Sequence, residues 1–291
     1  MEVETCFDLP DFDLDILFNM ISSNGIWDPA VSVFGVRRSG KTELVKYILN
    51  EANDRRLIGR VGVITSTNFR STWNEMIPSM TIFELDDVVN VIESLFESQK
   101  NIIENVENGN TYKYGSSQYT IILDDFIHEK KFSVFSSTIL KLYTTGRHYD
   151  ISVWLLSQHP AGVSNIVRNN SDFAIILRMT SFQSKKTIYQ DHLDFIDNVM
   201  TCIHFIDHNT KDYRAIIILK TDPHLQPEER VYTMIADINT EKKMIGNDLW
   251  VRDMNNKQKS IMNLKKRLGH TLDKEIDNMI DIITDLSFIR V

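Results

Sequence analysis

The sequence predicts an α/β fold in which a mainly parallel central sheet is covered by helices on both faces. Between residues 31 and 200, short runs of valine, isoleucine and leucine alternate with longer stretches of helical character. These runs are continuously apolar, which is typical of strands buried on both sides. Right-handed crossovers join such strands, so successive helices can cover both faces of one sheet.

Six strands and four helices are predicted in this region. The strands are 31–36, 61–65, 80–85, 119–125, 150–158 and 172–179. The helices are 41–52, 86–108, 133–146 and 183–199, with a polar, glycine-containing loop at 108–118. If each helix acts as a crossover, all six strands run in one direction.

The pattern changes after Met200. Residues 201–222 hold two apolar runs around the polar stretch DHNTKD, which predicts an antiparallel hairpin at the sheet edge. Residues 240–291 look helical, with helices over 257–268 and 272–289. We therefore expect one α/β domain over residues 1–239, with its core at 25–225, and a C-terminal helical extension over 240–291.

Composition and charge exclude several classes of protein. The chain has 291 residues, 42% of them hydrophobic, and a net charge of −8, so it does not coat nucleic acid through general basicity. The acidic N-terminal stretch is not a secretory or mitochondrial address, and no apolar run approaches the roughly 18 residues of a membrane span. Cys6 and Cys202 lie in no metal-binding spacing and are predicted to be reduced thiols.

The stretch GVRRSGKT at residues 35–42 is a complete GxxxxGK(S/T) pattern between a predicted strand and a predicted helix. Its glycines let successive backbone N–H groups face one centre and form an anion nest at the start of the helix. The lysine supplies a positive charge for the β- and γ-phosphates, and the threonine hydroxyl is a ligand for Mg²⁺. The predicted nucleotide-binding residues are Gly35, Val36, Arg37, Arg38, Ser39, Gly40, Lys41 and Thr42.

Arg37 and Arg38 are unusual inside such a loop. Their side chains could contact phosphates, pair with acidic neighbours or face a partner subunit, and the sequence leaves these roles open.

A pair of aspartates ends the strand that begins at Tyr119. Asp124 is predicted to hold Mg²⁺ together with Thr42, and Asp125 to orient or deprotonate the attacking water. An Asp-Asp pair at a strand end is weak evidence alone, and it gains weight from the phosphate loop upstream. These residues predict a P-loop NTPase that uses ATP and Mg²⁺.

The next strand carries polar residues at both of its ends. Gln158 ends the strand beside the predicted nucleotide site, where it could sense the γ-phosphate or position water, or could simply cap the strand end. Arg147 lies before the strand, at the opposite sheet edge, so it cannot easily serve its own nucleotide. It could act in trans on the ATP of a neighbouring subunit, or it could be a surface arginine near a helix C-terminus. Arg168 and Arg178 flank the following strand and are the reserve candidates.

Taken together, these segments resemble the FtsK/HerA-type pumping ATPases, and among them the poxvirus-type genome-packaging ATPases of large double-stranded DNA viruses. The resemblance rests on GVRRSGKTEL, YTIILDDF, TTGRHYDISVWLLSQ and NIVRNNSDFAIILR, and it covers roughly residues 25–225. It implies a ring, pentameric or hexameric, that hydrolyses ATP to feed double-stranded DNA into a capsid. It also implies that Arg147 is the trans-acting finger and Gln158 the sensor. Asp125 departs from the glutamate common in that family, which puts its role as base in question.

The resemblance further implies partners and a place of action. These are double-stranded DNA, further copies of the chain and viral capsid or membrane vertex proteins, with assembly sites in the host cytoplasm, or the virion, as the location. A ring needs only a few cations per subunit at its pore, so a net negative charge is compatible with DNA binding. The candidate DNA contacts are two lysine pairs that could equally be solvated surface, namely Lys130, Lys131, Lys185 and Lys186.

Three other functions share parts of this pattern. A phosphoryl-transfer kinase would share the phosphate loop, but no arginine-rich lid stands out in the sequence. A nucleotide-dependent switch of the GTPase type is weakened by the absence of NKxD. A DNA helicase uses the same core and stays open as an alternative.

Overall fold

Eight strands form one mixed sheet in the residues that the computed structural model describes, which are 8–22, 25–65, 70–124, 132–221 and 224–268. The strands are β1 Ala30–Phe34, β2 Arg60–Thr65, β3 Ile82–Glu84, β4 Tyr119–Asp124, β5 Ile151–Ser157, β6 Phe173–Ile176, β7 Ala215–Leu219 and β8 Val231–Met234. Their spatial order is β3-β2-β4-β5-β1-β6-β7-β8. The first six in that order are mutually parallel, whereas β7 is antiparallel to both β6 and β8.

Helices cover both faces of this sheet. In the described residues they are α1 Leu14–Phe18, α2 Lys41–Asp54, α3 Arg70–Trp73, α4 Val88–Glu107, α5 Phe132–Thr145, α6 Asn165–Asn169, α7 Phe182–His192, α8 Val199–Asn209 and α9 Asp248–Leu268. One apolar core joins the sheet to α1, α2, α3 and α9, and the other joins it to α4 through α8. Side chains alternate between the two cores along each strand: in β1, Val31 and Val33 enter the first and Phe34 enters the second. The predicted fold class is therefore confirmed.

The antiparallel part of the sheet is confirmed, but one of its predicted strands was wrong. Residues 199–209 form α8, and the antiparallel partner of β7 at the sheet edge is β8. The buried side chains of α8 recur at helical spacing, as Cys202, Ile203, Phe205, Ile206 and Asn209. The Asn198 side chain caps the helix by accepting hydrogen bonds from the amides of Met200 and Thr201. The helix period and this cap outweigh the short apolar run that favours a strand.

Both ends of the described chain attach to the sheet domain. Near the N-terminus, the Phe12 amide donates to the Thr233 carbonyl at 2.8 Å, which covers part of the β8 edge. Near the C-terminus, the Ile245 amide donates to the Met76 carbonyl at 2.7 Å. Trp250 on α9 is 1% exposed and belongs to the first apolar core.

The proposed boundary at residue 240 therefore divides a region whose two sides pack together. The predicted helix over 257–268 lies within α9, and the predicted helix over 272–289 lies outside the described residues. Cys202 is a buried free thiol whose pKa burial raises to about 12, and Cys6 lies outside the described residues. Within the described part of the chain, every helix is too short or too polar to traverse a lipid bilayer.

Replacing Trp250 tests whether α9 is part of the folding unit. Trp250→Ala should lower the free energy of unfolding by about 3–5 kcal/mol, because it leaves a large cavity in the first core. Urea denaturation followed by circular dichroism measures this change. Met262 on the same helix is 53% exposed, so Met262→Ala should change the free energy by no more than about 0.5 kcal/mol. Equal denaturation midpoints for the two variants would mean that α9 does not contribute to the stability of the domain.

Candidate active site

The predicted phosphate loop lies between the end of β1 and the start of α2. Two backbone hydrogen bonds fix its first residues: the Gly35 amide donates to the Ser157 carbonyl at 3.1 Å, and the Val36 amide donates to the Arg178 carbonyl at 2.9 Å. Ser157 ends β5 and Arg178 follows β6, the strands on either side of β1, so sheet pairing holds the loop from both sides.

The glycines of the loop are required by its shape. Gly40 has a φ of 96°, in the left-handed region that favours glycine, and it is the N-cap of α2. At Gly35, an added Cβ would lie 2.6 Å from Ser39 Oγ and 3.0 Å from Leu177 Cβ. A side chain at Gly35 would therefore collide with the loop itself.

Lys41 lies inside the curve of this loop. It is 8% exposed, and its Nζ donates to the carbonyls of Gly35 at 2.8 Å and Val36 at 3.1 Å. The hydroxyl of Ser39 is buried in the same loop and has no hydrogen-bond partner within the described chain. The N-cap of α2, Gly40, makes no side-chain hydrogen bond to the first backbone amides of the helix, which suits them to an anion. An ammonium, an unsatisfied hydroxyl and a helix N-terminus together fit a polyphosphate.

Thr42 and Asp124 meet beside the loop. The Thr42 hydroxyl lies 3.5 Å from Oδ2 of Asp124, which ends β4 and is 5% exposed. A hydroxyl and a carboxylate are hard oxygen ligands of the kind that Mg²⁺ accepts together with water and phosphate oxygens. These two residues could therefore hold the ion. Asp125, the predicted base, lies outside the described residues.

Trp73 is a member of this site that sequence reasoning missed. Its side chain is fully buried, and its Nε1 donates to Asp124 Oδ2 at 2.9 Å, the same oxygen that faces Thr42. Lys46, one turn beyond Thr42 on α2, places its Nζ 5.7 Å from the centre of the indole ring. The indole therefore orients the carboxylate and connects β4 to the helix of the phosphate loop. A lone tryptophan about 50 residues before Asp124 carries no motif that would have revealed this contact.

Gln158 lies at the same sheet edge as the phosphate loop. It follows β5, which is paired with β1 on one side and β4 on the other, with Ser157 opposite Phe34 and Leu156 opposite Asp124. Its side chain is half-buried. The structure therefore brings Gln158 to the edge where Lys41 and Asp124 lie.

Arg147 lies at the other end of β5. It belongs to a short 3₁₀ turn, Gly146–Tyr149, which precedes the strand, and its side chain is exposed. Burial, together with the charges of Asp172 and Asp150, raises the pKa of Asp28 to about 6, and the positive charge of Arg147 opposes this shift. Arg147 is thus close to carboxylates at the edge opposite the nucleotide loop, where its own Lys41 is out of reach.

The remaining arginines of interest differ in their surroundings. Arg168 is 8% exposed, and its guanidinium is bound to Asp191 at 2.5 Å, to the Pro160 carbonyl at 2.9 Å and to the Val163 carbonyl. Arg178 is exposed directly after β6, beside the phosphate loop. Arg37 and Arg38 are also exposed, and Arg38 has a φ of 62°.

The candidate DNA contacts are only partly described. Lys130 and Lys131 lie outside the described residues. Lys185 is 7% exposed, and its Nζ binds both carboxylate oxygens of Asp207, at 2.5 and 2.7 Å. The structure thus places Lys185 in an ion pair between α7 and α8, which neutralises its charge. Lys186 is half-buried.

The chain is similar in sequence to viral proteins and in fold to solved structures of ATPases. No protein-family profile matches the chain. It is 26% identical over 198 residues to the uncharacterised protein 075L of Invertebrate iridescent virus 6, spanning 67% of this chain and 72% of that protein. It is 21% identical over 230 residues to the uncharacterised protein L437 of Acanthamoeba polyphaga mimivirus, spanning 78% of this chain and 76% of that protein.

Two solved structures extend the comparison. EssC (ATPases 2 and 3) from Geobacillus thermodenitrificans has a TM-score of 0.51 at 13% identity, covering 84% of this chain and 45% of EssC. The genome packaging NTPase B204 from Sulfolobus turreted icosahedral virus 2, solved with ATP-gammaS, has a TM-score of 0.48 at 14% identity, covering 72% of this chain and 98% of B204. The likeness to EssC supports the fold, a mainly parallel sheet covered by helices on both faces.

The contact between Trp73 and Asp124 predicts a specific defect in metal dependence. Trp73→Phe keeps an aromatic ring but removes the N–H that orients the carboxylate. The Mg²⁺ concentration needed for half-maximal binding of a fluorescent ATP analogue should rise about tenfold, as is usual when a hydrogen-bond partner of a metal ligand is lost.

Trp27 provides a matched control for this measurement. Its Nε1 also makes a buried hydrogen bond, to the Leu17 carbonyl at 3.0 Å, in the core under α1. Trp27→Phe should lower the melting temperature without moving the Mg²⁺ midpoint. The same midpoint in both variants would show that the indole of Trp73 does not act on Asp124.

Proposed function

We propose that this chain is an ATP-hydrolysing translocase that acts as a ring and packages viral double-stranded DNA into a capsid. The single observation that carries the proposal is the division of polar residues between the two edges of the sheet. The phosphate loop, Asp124 and Gln158 share one edge, and Arg147 lies at the other. The first edge would bind ATP. Arg147 at the second edge would complete the ATP site of a neighbouring subunit.

The ATP site would use the loop for the phosphates and two oxygen ligands for the metal. Lys41 and the amides at the start of α2 would bind the β- and γ-phosphates, and Ser39 would gain a partner for its buried hydroxyl. Thr42 and Asp124 would hold Mg²⁺, which when bound neutralises charge on the phosphate oxygens. Trp73 would keep Asp124 in the orientation that this role requires.

Hydrolysis needs a group that positions water near the γ-phosphate. Gln158 is suited to this because it ends the strand between Asp124 and the phosphate loop. Asp125, next to the metal-binding aspartate in sequence, is the proposed base.

Arg147 is the proposed arginine finger of the neighbouring site. An arginine at the shared face of two subunits stabilises the charge that spreads over the transferring phosphoryl group. Arg147 is exposed and lies at the sheet edge away from its own loop, which favours action in trans. Arg168, held by Asp191 and two carbonyls, would have to break three internal contacts to play this part.

The DNA-related half of the proposal rests on the resemblance of the sequence segments, together with relatives encoded by viruses. One cationic side chain from each subunit at the pore would suffice for DNA binding, because the attractions of several such charges to the phosphate backbone add together. Lys130, Lys131 and Lys186 are the proposed cations, and Lys185 would contribute only if its pair with Asp207 opened. Capsid or membrane vertex proteins are the proposed docking partners, and assembly sites in the host cytoplasm the proposed location.

Mixing inactive subunits tests the shared site. Lys41→Ala and Arg147→Ala should each reduce ATP hydrolysis at least about 100-fold, since each removes charge that stabilises the transferring phosphoryl group. Mixed in equal amounts, they should regain part of the activity, because some interfaces then pair an intact loop with an intact arginine. Failure to regain activity at any ratio, with ring formation verified by sedimentation, would contradict action in trans.

The choice of nucleic acid separates the motor from its alternatives in the same assay. Phosphate release by the wild type should rise several-fold with double-stranded DNA and less with single-stranded DNA. Stimulation by single strands alone would favour a helicase. Transfer of labelled phosphate to a small acceptor would favour a kinase.

A further inference from the structure

An exposed tyrosine lies against the phosphate loop in the turn between α8 and β7. Tyr213 is 69% exposed and has a φ of 62°, and the preceding Asp212 has a φ of 52°. Two successive residues other than glycine are thus held in the left-handed region, which is costly for a bulky side chain.

The ring of Tyr213 lies close to Gly40, at the start of α2. A Cβ added to Gly40 would lie 3.3 Å from Tyr213 Cδ1 and 3.7 Å from Leu177 Cδ2. The topology explains this proximity. Because β7 is antiparallel to β6, with Ile216 opposite Ile176, the turn before β7 lies at the edge where the parallel strands end.

Tyr213 lies on the side of the loop away from the metal-binding aspartate. Asp124 and Gln158 follow β4 and β5, which lie on one side of β1, whereas the turn of Tyr213 precedes β7, beyond β6 on the other side. In the site proposed above, Asp124 and Thr42 would hold the end of the nucleotide that carries the metal and the γ-phosphate. If they do, the nucleoside of an extended triphosphate would point towards β6 and β7, the side of the loop on which Tyr213 lies.

We propose that Tyr213 is a stacking platform for the base of the bound nucleotide, an inference that rests on the nucleotide site proposed above. An aromatic face beside the loop offers any purine a flat, apolar contact, and stacking of this kind tolerates a change of base. The site would therefore favour purine nucleotides over bare polyphosphate without strict choice between adenine and guanine.

The backbone conformation at Tyr213 makes it possible to test for stacking on the base without destabilising the fold. A glycine adopts a φ of 62° without strain, so Tyr213→Gly should leave the melting temperature unchanged or raise it. A side chain that is 69% exposed contributes little buried area in return for this strain. Stacking on a bound base therefore explains the aromatic side chain of Tyr213 better than a contribution to the stability of the fold does.

Comparing two ligands isolates the base. The probes are ATP and inorganic tripolyphosphate, each with Mg²⁺, and their dissociation constants are measured by calorimetry for the wild type, Tyr213→Gly and Tyr213→Phe. The wild type should bind ATP more tightly than tripolyphosphate. Tyr213→Gly should weaken ATP binding about 5- to 100-fold and leave tripolyphosphate binding unchanged, while Tyr213→Phe, which keeps the ring, should bind like the wild type.

Other outcomes would overturn the inference in distinguishable ways. Equal ATP affinity in the wild type and Tyr213→Gly would rule out the stacking role while leaving the nucleotide site intact. If the substitution changed only the sedimentation of the protein, the Tyr213 side chain would act in contacts between copies of the chain instead. Equal weakening of both ligands in Tyr213→Gly would mean that the turn shapes the phosphate loop instead. Binding of neither ligand by the wild type would remove the nucleotide site itself, and with it the proposed function.

Discussion

Two backbone hydrogen bonds at the end of β1 hold the phosphate loop, and the rest of the site depends on them. The Gly35 amide is bound by the Ser157 carbonyl and the Val36 amide by the Arg178 carbonyl, so the loop begins where three parallel strands end together. The same pairing brings Gln158 and Asp124 to that edge. Because these contacts belong to the backbone, the position of the site is set by strand order, and side chains then determine its chemistry.

Strand direction also accounts for the proposal that Arg147 acts on the ATP of a neighbouring subunit. A parallel strand presents its two ends at opposite edges of the sheet, so the turn before β5 cannot reach the nucleotide bound after it. Arg147 lies at that far edge, where its positive charge acts on the carboxylates of Asp28 and Asp172. In the proposed ring, the phosphate loop of one subunit and Arg147 of the next would together form each complete ATP site.

The sequence allowed the parallel strands and the phosphate loop to be predicted, and it missed contacts that only tertiary packing creates. Eight consecutive residues carry the phosphate loop, which is why Lys41 and Thr42 could be identified, and β4 delivers Asp124 to within 3.5 Å of Thr42. The run CIHFI was read as a strand because it is short and apolar, although its helical period and the cap at Asn198 predict α8. Tyr213 belongs to no motif, because its position beside Gly40 depends on the antiparallel course of β7.

The most direct test is electron microscopy of the protein with a non-hydrolysable ATP analogue and double-stranded DNA. The expected result is a closed ring of five or six subunits around the duplex, in which Arg147 of each subunit faces the γ-phosphate bound by Lys41 of the next. A monomeric particle under these conditions would contradict the shared site. A ring in which Arg147 faces solvent, far from every nucleotide, would contradict it equally.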